Sequence, residues 1–244
     1  MTKLASILSA ALVVAGASVA TAQESSISGT VKLDGTAKKP KKINNQLAGD
    51  KFCGPQNQGT DVFAEDLIVG EGNVIANVFV YVKGGLKEKN FAAPKDAVVI
   101  DQNKCVYRPH ILVVQTGQTL TIKNSDDTMH NIHSVPAANK EFNEGQGKAG
   151  MTSDKQFNIP EIGIKIKCDV HSWMNAWLHV VDNPFHAVSG TDGKFEIKGL
   201  PAGTYELEVW HEKLANGKET KIVKQSVTVG DKEAKTQDFT LKAQ

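Results

Sequence analysis

Cys168-Asp-Val-His171-Ser-Trp-Met174 sets a thiol, an imidazole and a thioether three residues apart on one short stretch. Copper favours thiolate plus imidazole with a long, weak thioether bond, and a complete site of this type needs one further histidine. Asn124-Ser-Asp-Asp-Thr-Met-His130-Asn-Ile-His133 offers candidates for it. Read singly, Cys168 is an ordinary buried cysteine, Met174 a gap-filler and the histidines surface residues, since free cysteine is commonly buried for packing alone. It is their order together that points to a metal.

The elements that would position these residues are strands. Ile162, Ile164, Ile166 and Cys168 alternate with Gly163, Lys165 and Lys167, so a half-buried strand aims the thiol toward a core. Ahead of the histidine stretch, Leu120 and Ile122 alternate with Thr121 and Lys123. Further strands are expected over 26–33, 75–82, 97–101, 110–114, 178–181, 194–197, 204–209, 225–229 and 236–241, separated by turns such as Thr191-Asp-Gly and Pro201-Ala-Gly. No helix is long enough to organise a domain. The glycine-rich Glu144–Gly150 reads as a mobile loop. The fold class is all-β, of the sandwich type.

At the positions just named the chain resembles the cupredoxins, the blue-copper family. Their aromatic-x-Pro, Gly, Asn and His-Asn-aliphatic elements read here as Tyr107-x-Pro109, Gly117, Asn124 and His130-Asn131-Ile132. The Cys-x2-His-x2-Met loop is similar to the short loop of the amicyanin type. The resemblance covers roughly 97–183 and implies a Greek-key β-sandwich holding type 1 copper, with His130, Cys168, His171 and Met174 as ligands. It departs from many family members in having Val170 before the loop histidine, where they have Pro. His171, between Cys168 and Trp173, is expected to turn a ring edge to solvent, and Trp173 and Trp177 to shield the metal and form a docking rim.

A second resemblance lies toward the C-terminus. Val188-Ser-Gly-Thr-Asp-Gly-Lys-Phe-Glu-Ile-Lys-Gly-Leu-Pro-Ala-Gly-Thr-Tyr-Glu-Leu-Glu-Val is similar to carboxypeptidase regulatory-like, transthyretin-like sandwich modules. Their opening strands correspond to Ile27-Ser-Gly-Thr-Val31 and Ala76-Asn-Val-Phe-Val-Tyr-Val82, which precede the cupredoxin-like part. The expected organisation is therefore a signal peptide over 1–22, N-terminal sandwich strands over 23–96, an inserted copper domain over 97–183 and the rest of the outer sandwich over 184–244. Two domains in tandem are the alternative.

Met1–Ala22 carries Lys3, an apolar run from Leu4 to Ala20 and a small-residue end at Ala20-Thr-Ala22, the pattern of a secretory signal peptide. Its loss would leave a periplasmic or secreted chain without a membrane segment. Of 28 basic and 27 acidic residues it removes one basic, so net charge names no partner. Lys38, Lys39, Lys41 and Lys42 read as a solvated loop, not a nucleic-acid patch. With Cys168 assigned to the metal, Cys53 and Cys105 are left as a candidate disulfide, worth roughly 4 kcal/mol by loop-closure entropy.

The function that follows is an exported copper protein carrying single electrons to or from a redox partner protein such as a cytochrome. Copper capture or delivery, and a metal-free structural sandwich, are the competing readings. The chain has no Gly-x-Ser-x-Gly elbow, His-Glu-x-x-His or phosphate loop, and it is expected not to be an enzyme.

Overall fold

The computed structural model describes residues 24–36, 39–215 and 222–243. The expected signal peptide lies outside them. Among the described residues no helix is long and apolar enough to cross a membrane.

Strands β1 (Ser25–Asp34) and β2 (Phe79–Gly84) enclose a segment with two single-turn helices, α1 (Asn44–Leu47) and α2 (Cys53–Gln56). Nine strands follow: β3 (Val98–Asn103), β4 (Val106–Arg108), β5 (Ile111–Gln115), β6 (Thr119–Asn124), β7 (His130–Val135), β8 (Phe142–Gln146), β9 (Thr152–Gln156), β10 (Glu161–Lys167) and β11 (Asn175–Val181). The chain then runs through β12 (His186–Val188), β13 (Lys194–Leu200), β14 (Gly203–Trp210), β15 (Leu214–Ala215), β16 (Ile222–Val229), β17 (Ala234–Thr236) and β18 (Phe239–Ala243).

The nine middle strands form two sheets, ordered β4-β3-β6-β9 and β5-β11-β10-β7-β8. One core lies between them, and Ile100, Leu120, Ile122, Ile132, Ile164, Ile166 and Leu178 are all within it. Cys168 and Met174 belong to that core too. The remaining strands form two further sheets. One runs β13-β1-β18-β15, with β17 also on β1, and the other runs β12-β2-β14-β16. Here the chain's two ends share hydrogen bonds. Ile27 pairs with Ile197 and Gly29 with Phe195, while Val80 pairs with Val209. Strands β3–β11 are thus threaded between β2 and β12.

The two pairs of sheets meet through strands buried on both faces. In β2, Val80 and Val82 enter the core of the outer sheets, while Phe79 and Tyr81 point the other way into a separate apolar cluster with Ile111, Val181 and Trp210. Period-two alternation explains both sets. On β11, Ala176, Leu178 and Val180 face the middle core, and His179 on the reverse face stacks 4.2 Å from Phe79 and meets Trp210 edge to face at 4.5 Å. Gly163 makes this approach possible. Its φ is +80°, and a Cβ there would sit 3.2 Å from Trp210 Nε1.

The glycine-rich loop expectation fails in part. Glu144, Gly145 and Gln146 complete β8, because Gly145 admits the Met129 methyl and the wholly buried Gln146 side chain accepts from Gln102 Nε2 at 2.6 Å.

His179 has a direct consequence for stability. Burial pushes its pKa down to about 3, whereas an unfolded histidine titrates near 6.5. The unfolded chain therefore takes up the proton first, so this contribution is full above about pH 6.5 and is lost as pH falls toward 3. Urea unfolding is expected to lose roughly 1 kcal/mol per pH unit from this residue between pH 6.5 and 5. His179→Gln keeps an acceptor for the Gly163 N–H and should flatten that slope; an unchanged slope would show that His179 is not the group responsible.

Candidate metal centre

The loop after β10 is closed by its own backbone. Cys168 N–H donates to Met174 O at 3.1 Å, Met174 N–H to His171 O at 2.9 Å, and His171 N–H to Cys168 Sγ at 3.3 Å. These bonds fold seven residues into a turn that carries the thiol, the imidazole and the thioether inward. Cys168, His171 and Met174 are 3%, 3% and 1% exposed.

The fourth candidate arrives on β7. Alternation there sends His130, Ile132 and Ser134 inward, while His133 turns to the surface and bonds Asp169 and Glu141. Of the two histidines in this stretch, His130 joins the cluster. Its Nδ1 lies 3.0 Å from His171 Nδ1, and His171 Nδ1 lies 3.7 Å from Cys168 Sγ. The donor atoms of His130, Cys168 and His171 all fall within 4.8 Å of one another. Separations of about 3 to 4 Å suit donors sharing one ion, since metal–nitrogen bonds run to about 2.0 Å and metal–sulfur to about 2.3 Å.

The electrostatics suit a cation as well. Burial raises the pKa of the Cys168 thiol, but the His130 and His171 rings beside it outweigh that and bring it down to about 6. A thiol so placed is readily a thiolate, the form that binds metal. His130 is wholly buried, which disfavours its charged form. Asp126 and Cys168 outweigh that and raise its pKa. The outer nitrogen of His130 is 2.9 Å from Asp126 Oδ2, so Nδ1 is the nitrogen turned inward, toward His171 Nδ1 and the thiol. Thiolate and two imidazoles turned inward, each imidazole backed by a carboxylate, fit copper, and the donor types also suit zinc.

Asn131, next to His130, ties β7 to the Cys168–Met174 loop. Its Oδ1 accepts from Asp169 N–H at 2.7 Å and Val170 N–H at 3.3 Å. Its own carbonyl takes the Tyr107 hydroxyl at 2.5 Å. Asn124, wholly buried, holds the preceding turn by donating to Thr128 O and Gln146 O, and its Oδ1 accepts from Asp126 N–H at 2.9 Å. Asn124 and Asn131 were visible in the sequence only as motif positions. These bonds supply their roles.

Cys53 and Cys105 form the expected disulfide, spanning 52 residues. The expectation of an exposed ring edge on His171 is corrected. The turn that carries Asp50 and Cys53 lies over its outer nitrogen, at 3.5 Å for Asp50 Oδ2 and 3.8 Å for Cys53 Sγ, and the Trp173 ring covers its side at 5.0 Å. Trp173 thus shields the site, whereas Trp177 turns toward the outer sheets and packs 5.2 Å from Trp210. Asp50 could not be found from the sequence, because it is far from the ligands along the chain and carries no motif. A cavity of about 190 Å³ reaches Met174, Trp173 and Trp177 but touches none of His130, Cys168 and His171.

Replacing Asn131 by Ala leaves the Asp169 and Val170 N–H groups without their acceptor. The metal-free protein should lose about 1 to 3 kcal/mol in urea unfolding, and chelators should strip added copper faster than from the wild type. Unchanged stability and retention would remove Asn131 from the role of loop clamp.

No family model and no curated protein matches the chain. It is similar to solved structures of copper proteins. One is a Cu-containing nitrite reductase from Thermus scotoductus SA-01, at 16% identity over 41% of this chain and 26% of that one, with a TM-score of 0.34. A second is a purple cupredoxin from Nitrosopumilus maritimus, at 24% identity over 34% of this chain and 98% of that one, with a TM-score of 0.30. A third is amicyanin from Paracoccus versutus, at 21% identity over 41% of this chain and 96% of that one, with a TM-score of 0.32. The chain thus spans about a quarter of the nitrite reductase and nearly the whole of the two smaller proteins.

Proposed function

We propose that the protein binds one copper ion through His130, Cys168 and His171, with Met174 as a weak axial donor, and carries single electrons between redox proteins outside the cytoplasm. The observation that supports this best is the convergence of the two Nδ1 atoms and the Cys168 sulfur in an interior where each residue is at most 3% exposed. Copper bound there would supply a one-electron couple. The chain's own part is to keep the donors in place and dry. The backbone-closed loop and the carboxylates behind the imidazoles hold them in one arrangement, which suits either oxidation state and keeps rearrangement small.

Burial of the donors favours carrying over catalysis, because a substrate would need an open position beside them. It also disfavours ready surrender of the ion to a chaperone. Trp173, half-buried and in contact with His171, is our candidate for the route to the surface. Export is part of the same proposal, resting on the signal-like 1–22 segment and on a disulfide that suits an oxidising compartment. The partner is then a periplasmic or secreted redox protein of the cytochrome kind. We further propose that β3–β11 form a copper domain inserted into a carboxypeptidase regulatory-like sandwich made by the two chain ends, a reading supported by the β1–β13 and β2–β14 pairings.

Adding Cu(II) to the purified protein is expected to give an intense visible thiolate-to-copper band at one copper per chain. Cys168→Ser should abolish the band even where some metal is retained. Met174→Leu should keep it while raising the reduction potential, since removing a donor destabilises Cu(II) more than Cu(I). Stopped-flow mixing of the reduced form with a soluble cytochrome should show rapid electron exchange. A protein that stays colourless with copper, or that exchanges no electrons yet yields Cu(I) to a chelator, would overturn the electron-carrier reading.

A further inference from the structure

The disulfide sits against both candidate histidine ligands, and its two halves repeat one arrangement. On one side the Cys105 N–H donates to Asp126 Oδ2 at 2.7 Å, and that oxygen is 2.9 Å from His130 Nε2. The Lys104 N–H holds the other Asp126 oxygen at 2.8 Å. On the other side the Cys53 and Phe52 N–H groups both donate to Asp50 Oδ1 at 2.8 Å, and Asp50 Oδ2 faces His171 Nε2 at 3.5 Å. Each half-cystine therefore fixes a carboxylate through its backbone amide, and each carboxylate faces the outer nitrogen of one imidazole.

Two contacts of Asn57 tie the halves together at this point, and a third bond adds the Cys168–Met174 loop. Asn57 Nδ2 donates to Cys53 O at 2.9 Å and to Lys104 O at 3.1 Å, so α2 is strapped to the turn before β4 independently of the sulfurs. The Trp173 indole N–H donates to Cys105 O at 2.9 Å, which brings the ligand loop onto the same turn. Both half-cystines are wholly buried.

We propose that Asp50 and Asp126 are the positioning residues of the metal centre, and that the Cys53–Cys105 bridge is their common anchor, so that one covalent bracket orients both imidazoles from outside. The proposal rests on the reading that His130 and His171 hold a metal. A carboxylate on the outer N–H of a ligand imidazole fixes its tautomer and raises its basicity, and loss of such a partner typically costs 10- to 100-fold in metal affinity. Asp50 is the informative position. Its side chain is about one-third exposed, so its replacement leaves the core intact. Asp126 is buried and serves as the stronger, riskier variant.

The test uses the full mature chain with Cu(II) and, separately, with Zn(II), which is diamagnetic. Asp50→Asn is expected to bind copper about 10- to 100-fold more weakly in chelator competition and to have a higher reduction potential, with Asp50→Glu restoring much of both. In the zinc-loaded protein the His171 Nε2–H should exchange with water faster in Asp50→Asn while the His130 Nε2–H is unchanged, which a general loss of stability would not produce. The double variant Cys53→Ser/Cys105→Ser should speed exchange at both rings. A folded Asp50→Asn protein with wild-type affinity, potential and His171 exchange would overturn the proposal. Wild-type protein that binds neither ion would instead overturn the metal-site reading beneath it.

Discussion

Three titratable side chains, His130, Cys168 and His171, are packed within a few ångströms of one another and shut off from water, and most of what surrounds them answers the cost of that burial. An unpaired polar group in the interior costs several kcal/mol, so a protein that buries three must give each a partner. Asp126 supplies one for His130, Asp50 faces His171, and the His171 and Asn131 groups flank the thiol. Those partners in turn need fixed positions, which the disulfide and the Asn124 turn provide. The chain of dependence runs outward from the donors, not inward from the fold.

The same logic explains why the centre lies where two kinds of constraint meet. Strand β10 carries the loop and is pinned between β7 and β11, so its end can move only if three strands move. The α1–α2 segment contributes little regular structure of its own, yet Ile43, Leu47 and Cys53 are buried in the same core as Cys168 and Met174. Its backbone hydrogen bonds are mostly within the segment, so that packing, the Asn57 bond to Lys104 O and the covalent bridge hold it against the sheets. In the loop-entropy picture the bridge contributes roughly 4 kcal/mol, a large share of a typical domain's net stability.

Much of the candidate site was legible, because residue types that can bind a metal leave local marks. Cys168, His171 and Met174 share one turn, and the inward phase of Cys168 follows from the isoleucine alternation before it. The all-β class and most strands were legible for the same reason. What was hidden depends on contacts between distant parts of the chain. Asp50 lies 121 residues from His171, and no periodicity relates them. The burial of His171 was misjudged for that reason, since its cover comes from the segment between β1 and β2. The β8 strand was missed through Gly145 and the glycines that follow the strand, although the small size of Gly145 serves the packing of Met129 against it.

Covering His171 changes how an electron would have to leave. A ring edge open to solvent would place a ligand at the surface, whereas here the Asp50–Cys53 turn occupies that place and the disulfide lies against the imidazole. Apart from His130, the ring packed on it is Trp173, whose indole is fixed to Cys105 O and which lines the cavity beside Met174. On the proposed electron-carrier reading, the exit would pass not from a bare ligand but through an aromatic side chain held by the same turn that holds Asp126. Cover of this kind lowers solvent access, so less water would reorganise if the charge at the centre changed. On the proposed electron-carrier reading, a partner approaching this side would meet a surface built partly by the segment ahead of β2, which also supplies the cover of His171.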